Sequence, residues 1–198
     1  MPKPLRLTAL VVLLAAAAGC DSAAPTPVPT STPTSTPTSP GAFAAPPLRL
    51  PEGASGDACP TSEAHPWSGS GQAARVLGPG PVYPVADYLG GGAVLQLRDS
   101  DRQQDGTYEK KVRWIAAGYR GPVLVRAGRI DGPGSASATF SYTGEARDGG
   151  HFALLTDLDT DLPATTTVSG PGCYAYQVDG ATFSVTIVFR AVPAAGSA

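Results

Sequence analysis

The side chains suited to chemistry in this 198-residue chain fall into three groups: two histidines, two sets of spaced acids and one crowd of cations. Hydrolysis needs a nucleophile beside a base, and a third group to orient that base. His65, next to Pro66 and Trp67, reads as a loop residue packing near Cys59, and His151 opens a predicted strand as a surface or hydrogen-bonded residue. Ser68-Gly69-Ser70-Gly71 reads as a flexible loop, because a nucleophile elbow needs Gly-x-Ser-x-Gly on a strand-to-helix turn. No catalytic residue is assigned. Asp157, Asp159 and Asp161 repeat at every second position, as in calcium loops, but Leu162 stands where such a loop has its glycine and Val168 where it closes with an acid. Strand alternation explains the triplet instead, with Leu154, Leu158 and Leu162 expected in the core and the aspartates in water. Asp99, Asp101 and Asp105 read as a solvated hairpin tip. No histidine lies within a few residues of Cys173, and His65 alone near Cys59 makes no ligand spacing, so neither metal nor cofactor is expected.

The cations carry the stronger signal. Lys110, Lys111, Arg113, Arg120, Arg126 and Arg129 crowd into one stretch in which Glu109 is the only acid, and the pattern places them on two neighbouring strands. Lys110, Lys111, Arg113, Arg126 and Arg129 are therefore a candidate patch for an anionic polymer or an envelope protein. The competing reading is a solvated strand face, with Lys110 and Arg126 blunting a sheet edge. Tyr119, Tyr174 and Tyr176 would add aromatic contacts to a site or pack in the core.

Short apolar runs punctuated by Gly, Pro and Asp must position these groups. Strands are predicted over 73–77, 93–98, 108–116, 122–130, 136–142, 151–158, 164–169, 173–178 and 182–192. The clearest alternation puts Phe183, Val185, Ile187 and Phe189 on one face and Thr182, Ser184 and Thr186 on the other. Asp179-Gly180 is the best hairpin turn, and residues 84–89 have room for one helical turn. No clean helical stripe spans the folded part. The expected fold is an all-β antiparallel β-sandwich of immunoglobulin-like architecture over residues 49–198, long enough to bury a core as one domain. Its two cysteines are much farther apart than in an antibody domain, and Tyr174 and Tyr176 follow the second cysteine where that family's corner tyrosine precedes it.

The N-terminal region supplies an address. Lys3 and Arg6 precede an apolar run that ends Ala17-Ala18-Gly19-Cys20, too short for the roughly 20 residues of a membrane span. This run resembles the signal peptide and lipobox of bacterial lipoproteins. The resemblance implies that residues 1–19 are cleaved and that Cys20, diacylated on sulfur, anchors the chain to the cell membrane on its extracytoplasmic side. Residues 20–48 form a Pro/Thr/Ser-rich tract that cannot bury enough apolar surface to order itself, and so reads as a disordered stalk whose hydroxyls suit O-linked sugars. Loss of Lys3 and Arg6 leaves 12 cations against 16 acids, about −4, which sets nucleic acid aside as a partner. With Cys20 lipidated, Cys59 and Cys173 remain as an even pair in an oxidising compartment, and a disulfide between them is expected. Three segments, 113–126, 129–134 and 171–180, resemble stretches of uncharacterised exported bacterial lipoproteins. The functional expectation is a non-enzymatic, membrane-tethered binding or interaction module of the cell envelope. The alternatives are a small secreted hydrolase without a recognisable motif and a purely structural envelope component.

Overall fold

The computed structural model describes residues 43–195. Among these, the short apolar runs form fourteen strands: β1 (Ala64–Pro66), β2 (Arg75–Leu77), β3 (Val82–Pro84), β4 (Val94–Leu97), β5 (Tyr108–Lys111), β6 (Trp114–Ala116), β7 (Gly121–Arg129), β8 (Ala136–Phe140), β9 (Glu145–Arg147), β10 (Gly150–Leu155), β11 (Thr160–Leu162), β12 (Ala164–Val168), β13 (Gly172–Gly180) and β14 (Ser184–Pro193). No α-helix occurs among them; the expected helical turn is a single 3-10 turn, Ala86–Leu89. The expected signal peptide, the expected lipidation site Cys20 and most of the expected stalk lie outside the described residues.

Six strands, in the order β4-β14-β13-β7-β10-β9, form one layer, and two three-stranded sheets, β11-β6-β3 and β5-β12-β8, form the other. All pairings are antiparallel except β4 with β14. The chain is thus the all-β sandwich expected. The layers meet through one core in which Tyr174, Tyr176, Ile187 and Phe189 of the large sheet face Trp114, Ala138, Phe140 and Val168. Trp114 stands edge-on to Tyr176 at 5.0 Å and to Phe140 at 6.2 Å. Tyr176 donates or accepts a 2.7 Å hydrogen bond with Thr166 across the sandwich, and burial pushes its phenol far above the ordinary tyrosine value. The alternation of β14 sorts as predicted, since Ile187 and Phe189 are fully buried while Ser184 is exposed.

Several expectations are corrected. The strand predicted over 108–116 is two strands in two sheets. At the break, Val112 donates to the Ala164 carbonyl of one sheet, while the Arg113 carbonyl accepts from Val85 beside the other. Pro163 interrupts 160–168 in the same way, because it has no N–H to give to a ladder. The second layer therefore divides into its two sheets at Val112 and Pro163. The final hairpin turns two residues later than Asp179-Gly180, at Ala181-Thr182: Asp179 pairs with Ser184, and Gly180 N–H donates to the Phe183 carbonyl. Of the three leucines assigned to the core, Leu162 is buried, but Leu154 and Leu158 are exposed. Their equal parity loses its meaning because β10 ends at Leu155 and a turn intervenes before β11. Strands β1, β3, β9 and β11 were not foreseen; each is three residues long, too short for periodicity to register.

The pairing of the two cysteines is as expected. Cys59 and Cys173 are joined with Cα atoms 5.5 Å apart and 114 positions between them in sequence.

Candidate functional site

The outer face of the large sheet is not solvated, because residues 43–62 lie across it as a strap. Leu50 packs with Ile130, Cys173, Ala175 and Val188, and the disulfide fastens the strap at Cys59. Gly53 N–H bonds to the Ile130 carbonyl, and Ser62 exchanges bonds with Val188 through both its backbone and its hydroxyl. Ordered packing thus begins six positions before the expected start at 49: the Phe43 ring lies 5.7 Å from Phe152, and its carbonyl accepts from Arg147.

Under the strap sits a buried ion pair. Arg126 Nη2 donates to Asp179 Oδ2 at 2.7 Å, with side-chain exposures of 7% and 0%. The same nitrogen donates to the Pro46 carbonyl, also at 2.7 Å. Gln177 Nε2 reaches both Asp179 oxygens and the Pro47 carbonyl, its Oε1 accepts from Arg49 N–H, and Ser184 Oγ donates to Asp179 Oδ1. Arg126 Nε is buried without a hydrogen-bond partner among the described residues. Each strap carbonyl here answers a donor presented by β7 or β13, so the strap's path is written in those two strands.

The predicted cation patch is divided. Strand β5 pairs with β12, and β7 pairs with β13 and β10, so they are not neighbours. Lys110 is bonded to Asp101 at 2.6 Å, and Arg126 lies under the strap. Arg113 holds Asp161 through two nitrogens, Nη2 to Oδ2 at 2.8 Å, and this bond raises its pKa. Arg129 holds Asp131 at 2.6 Å and lies 5.8 Å from the Tyr174 ring centroid, its pKa also raised, first by the Asp131 bond. Lys111 is exposed and has no carboxylate partner among the described residues. Two partner acids respond in kind. Burial pushes the carboxyls of Asp101 and Asp131 up, but hydrogen bonds from Lys110 and the Arg98 N–H, and from Arg129 and the Cys173 N–H, outweigh it and leave both below the ordinary carboxylate value.

The other candidates have structural partners. Asp159 accepts from Gly118 N–H, and Asp161 is held by Arg113. Among the described residues no three His, Cys, Asp or Glu side chains are grouped to hold a metal ion. His151 is buried, with Nε2 2.9 Å from the Thr143 carbonyl and its ring edge-on to Phe140. His65 is an exposed residue of β1 rather than a loop residue. Tyr174 and Tyr176 are core, and Tyr119 hydroxyl ties Pro122 to the final hairpin through Ala181 N–H.

Three surface grooves are notable among the described residues. A groove of about 540 Å³ runs beside the disulfide, with Arg129, Asp131 and Arg190 on its walls. On the second layer a groove of about 210 Å³ is walled by Tyr88 and Tyr142, with Lys111, Arg113, Ser141 and Thr165 between them. It adjoins a groove of about 170 Å³ on the far side of Tyr142 and Pro163, lined by Leu154 and Asp161. The two tyrosines went unnoticed in the sequence because Tyr142 closes a predicted strand, 136–142, that in fact ends at Phe140, and Tyr88 lies in a short turn. No helix of the described residues is long and apolar enough to cross a membrane.

The geometry defines the chain as a disulfide-fastened, strapped β-sandwich with a polar groove on its second layer. Neither a protein-family model, nor a curated protein, nor a solved structure matches it.

Proposed function

We infer that the chain is a lipid-anchored, non-enzymatic interaction module of the bacterial cell envelope, held to the extracytoplasmic side of the membrane through Cys20. The observation that carries this reading is the strap. The residues that follow the Pro/Thr/Ser tract are bound to the large sheet by carbonyl bonds from Phe43 onward and by a covalent bridge at Cys59. A domain pulled through its N-terminal stalk needs such an entry point, and a pair of cysteines joined in a disulfide suits an oxidising compartment. The stalk supplies reach: the 22 residues between Cys20 and Phe43, at about 3.1 Å each in extended polyproline geometry, would span on the order of 70 Å. Expression of the full chain in a bacterial host with labelled palmitate tests the anchor. Label is expected in the chain and in the detergent-rich phase, and both are expected to vanish in Cys20→Ser. An unlabelled, water-soluble wild-type chain overturns the tether.

A further inference from the structure

The outer face of the β5-β12-β8 sheet is a ladder of hydroxyls. Alternation turns Thr166 of β12 inward to Tyr176, which turns Thr165 and Thr167 outward. The antiparallel register sets Thr139 and Ser137 of β8 directly opposite them, and on the other flank Lys111 of β5 opposite Thr165 and Glu109 opposite Thr167, so the cation lies at the groove end of the ladder and the acid at the far end. Directly opposed side chains stand about 4.5–5.5 Å apart at Cβ, so these hydroxyls form one continuous polar surface. That surface runs into the groove between Tyr88 and Tyr142, which includes Thr165 and Lys111 in its walls.

Three observations select the occupant. Tyr142 is 89% exposed and Tyr88 45%, so both rings offer apolar faces to solvent, whereas Trp114, Phe140, Tyr174, Tyr176 and Phe189 are buried. The residues lining the groove include Lys111 and Arg113 and no carboxylate, because the Asp161 partner of Arg113 lines the adjoining groove instead. Ser141 and Thr165 add hydroxyls to the lining, and each hydroxyl both donates and accepts. Aromatic faces stack on the C–H faces of sugar rings, hydroxyls exchange hydrogen bonds with sugar hydroxyls, and ammonium and guanidinium groups bind carboxylate or phosphate. A protein partner calls for a buried apolar centre depleted of charge, and this face has none.

The geometry points to a binding site for an anionic glycan, a sugar chain bearing carboxylate or phosphate groups, with Tyr88 and Tyr142 stacking on the sugars and Lys111 holding the anion. This inference rests on the reading of the chain as an envelope interaction module and names the class of its ligand. Calorimetric titration of the full chain carrying Cys20→Ser tests it, with oligogalacturonate, a mannose phosphate oligosaccharide and maltohexaose as probes. One of the two charged probes is expected to bind, which also separates carboxylate from phosphate as the anion, and neutral maltohexaose is expected to bind at least about tenfold more weakly. Tyr142→Ala is expected to weaken binding about tenfold without changing the unfolding midpoint, since the ring is almost wholly exposed. Lys111→Ser is expected to weaken binding and to flatten its dependence on salt. Silence from both charged probes, equal binding of maltohexaose, or indifference to both substitutions overturns the glycan site. Loss of palmitate labelling with glycan binding retained would instead sink the anchor and leave the groove standing.

Discussion

Removal of the Asp179 carboxylate tests how the strap is held. Asp179→Ala leaves the Arg126 guanidinium buried with only the Pro46 carbonyl, and deprives Gln177 Nε2 and Ser184 Oγ of an acceptor. An ion pair broken inside a protein costs about 3–5 kcal/mol, because the stranded charge has lost its hydration and found nothing in return. For a domain of this size each kcal/mol moves the midpoint by about 2–4 °C, so a fall of roughly 6–20 °C is expected. Urea unfolding followed by the fluorescence of Trp114, fully buried in the core, measures the free energy directly. A second readout locates the damage: trypsin is expected to cut at Arg49, whose backbone N–H is held by Gln177, sooner in the variant than in the wild type under native conditions. The double replacement Arg126→Met, Asp179→Leu is expected to recover most of the loss, since an apolar pair of similar volume strands no charge. A cost below about 1 kcal/mol for Asp179→Ala, or a double variant no better than the single, would refute the reasoning.

Three further outcomes are expected. Replacing both Cys59 and Cys173 by Ser removes a bridge spanning 114 positions, which chain entropy values at about 4–5 kcal/mol; the urea midpoint should fall accordingly. Asp131, held below its ordinary value of 3.8, has a folded pKa lower than its unfolded one, so its contribution is complete above the unfolded value and is lost as pH falls through the folded one. The stability advantage of wild type over Asp131→Asn should therefore shrink in thermal melts taken from pH 6 down to pH 2. Trp114→Ala should cost about 3–5 kcal/mol by opening the centre of the core. Trp114→Phe should cost much less, because it also removes an indole N–H that has no partner.

Strand positions were legible in proportion to their length. β7, β13 and β14 announce themselves because nine or ten residues carry enough alternation to be read. The division of 108–116 was invisible, since Val112 and Arg113 continue the pattern and only their bonds to Ala164 and Val85 show the change of sheet. The disulfide was legible through cysteine arithmetic, which needs no geometry. Arg126 was legible as a cation and illegible as a buried one: the acid that neutralises it stands 53 positions away, in a dipeptide that was read as a hairpin turn. The grouping of Lys111 with Tyr88 and Tyr142 depends on a groove that joins the turn at Ala86–Leu89 to the ends of β5 and β8, and no local pattern brings those three together.

Net charge and local charge point in opposite directions here, and distance decides between them. An acidic chain repels an anionic polymer far away, but at physiological ionic strength the screening length is about 8 Å, so a carboxylate beyond the groove contributes little to what happens inside it. Within that reach the groove presents Lys111 and Arg113 on its own walls, against Asp161 in the adjoining groove and Glu109 two residues along β5 from Lys111. Arg113 is partly neutralised by Asp161, whose exposure of 49% leaves that pair open to water and weak. Lys111 therefore dominates the attraction, and the stacking faces of the tyrosines must supply the rest. The layout of the sandwich keeps this face free. The strap covers the outer side of the six-stranded sheet, the hydroxyl ladder occupies the outer side of the other layer, and the core lies between them. A chain entering on one face and a ligand lying on the opposite one do not compete, so tension on the stalk would load β7 and β13 without crossing the groove.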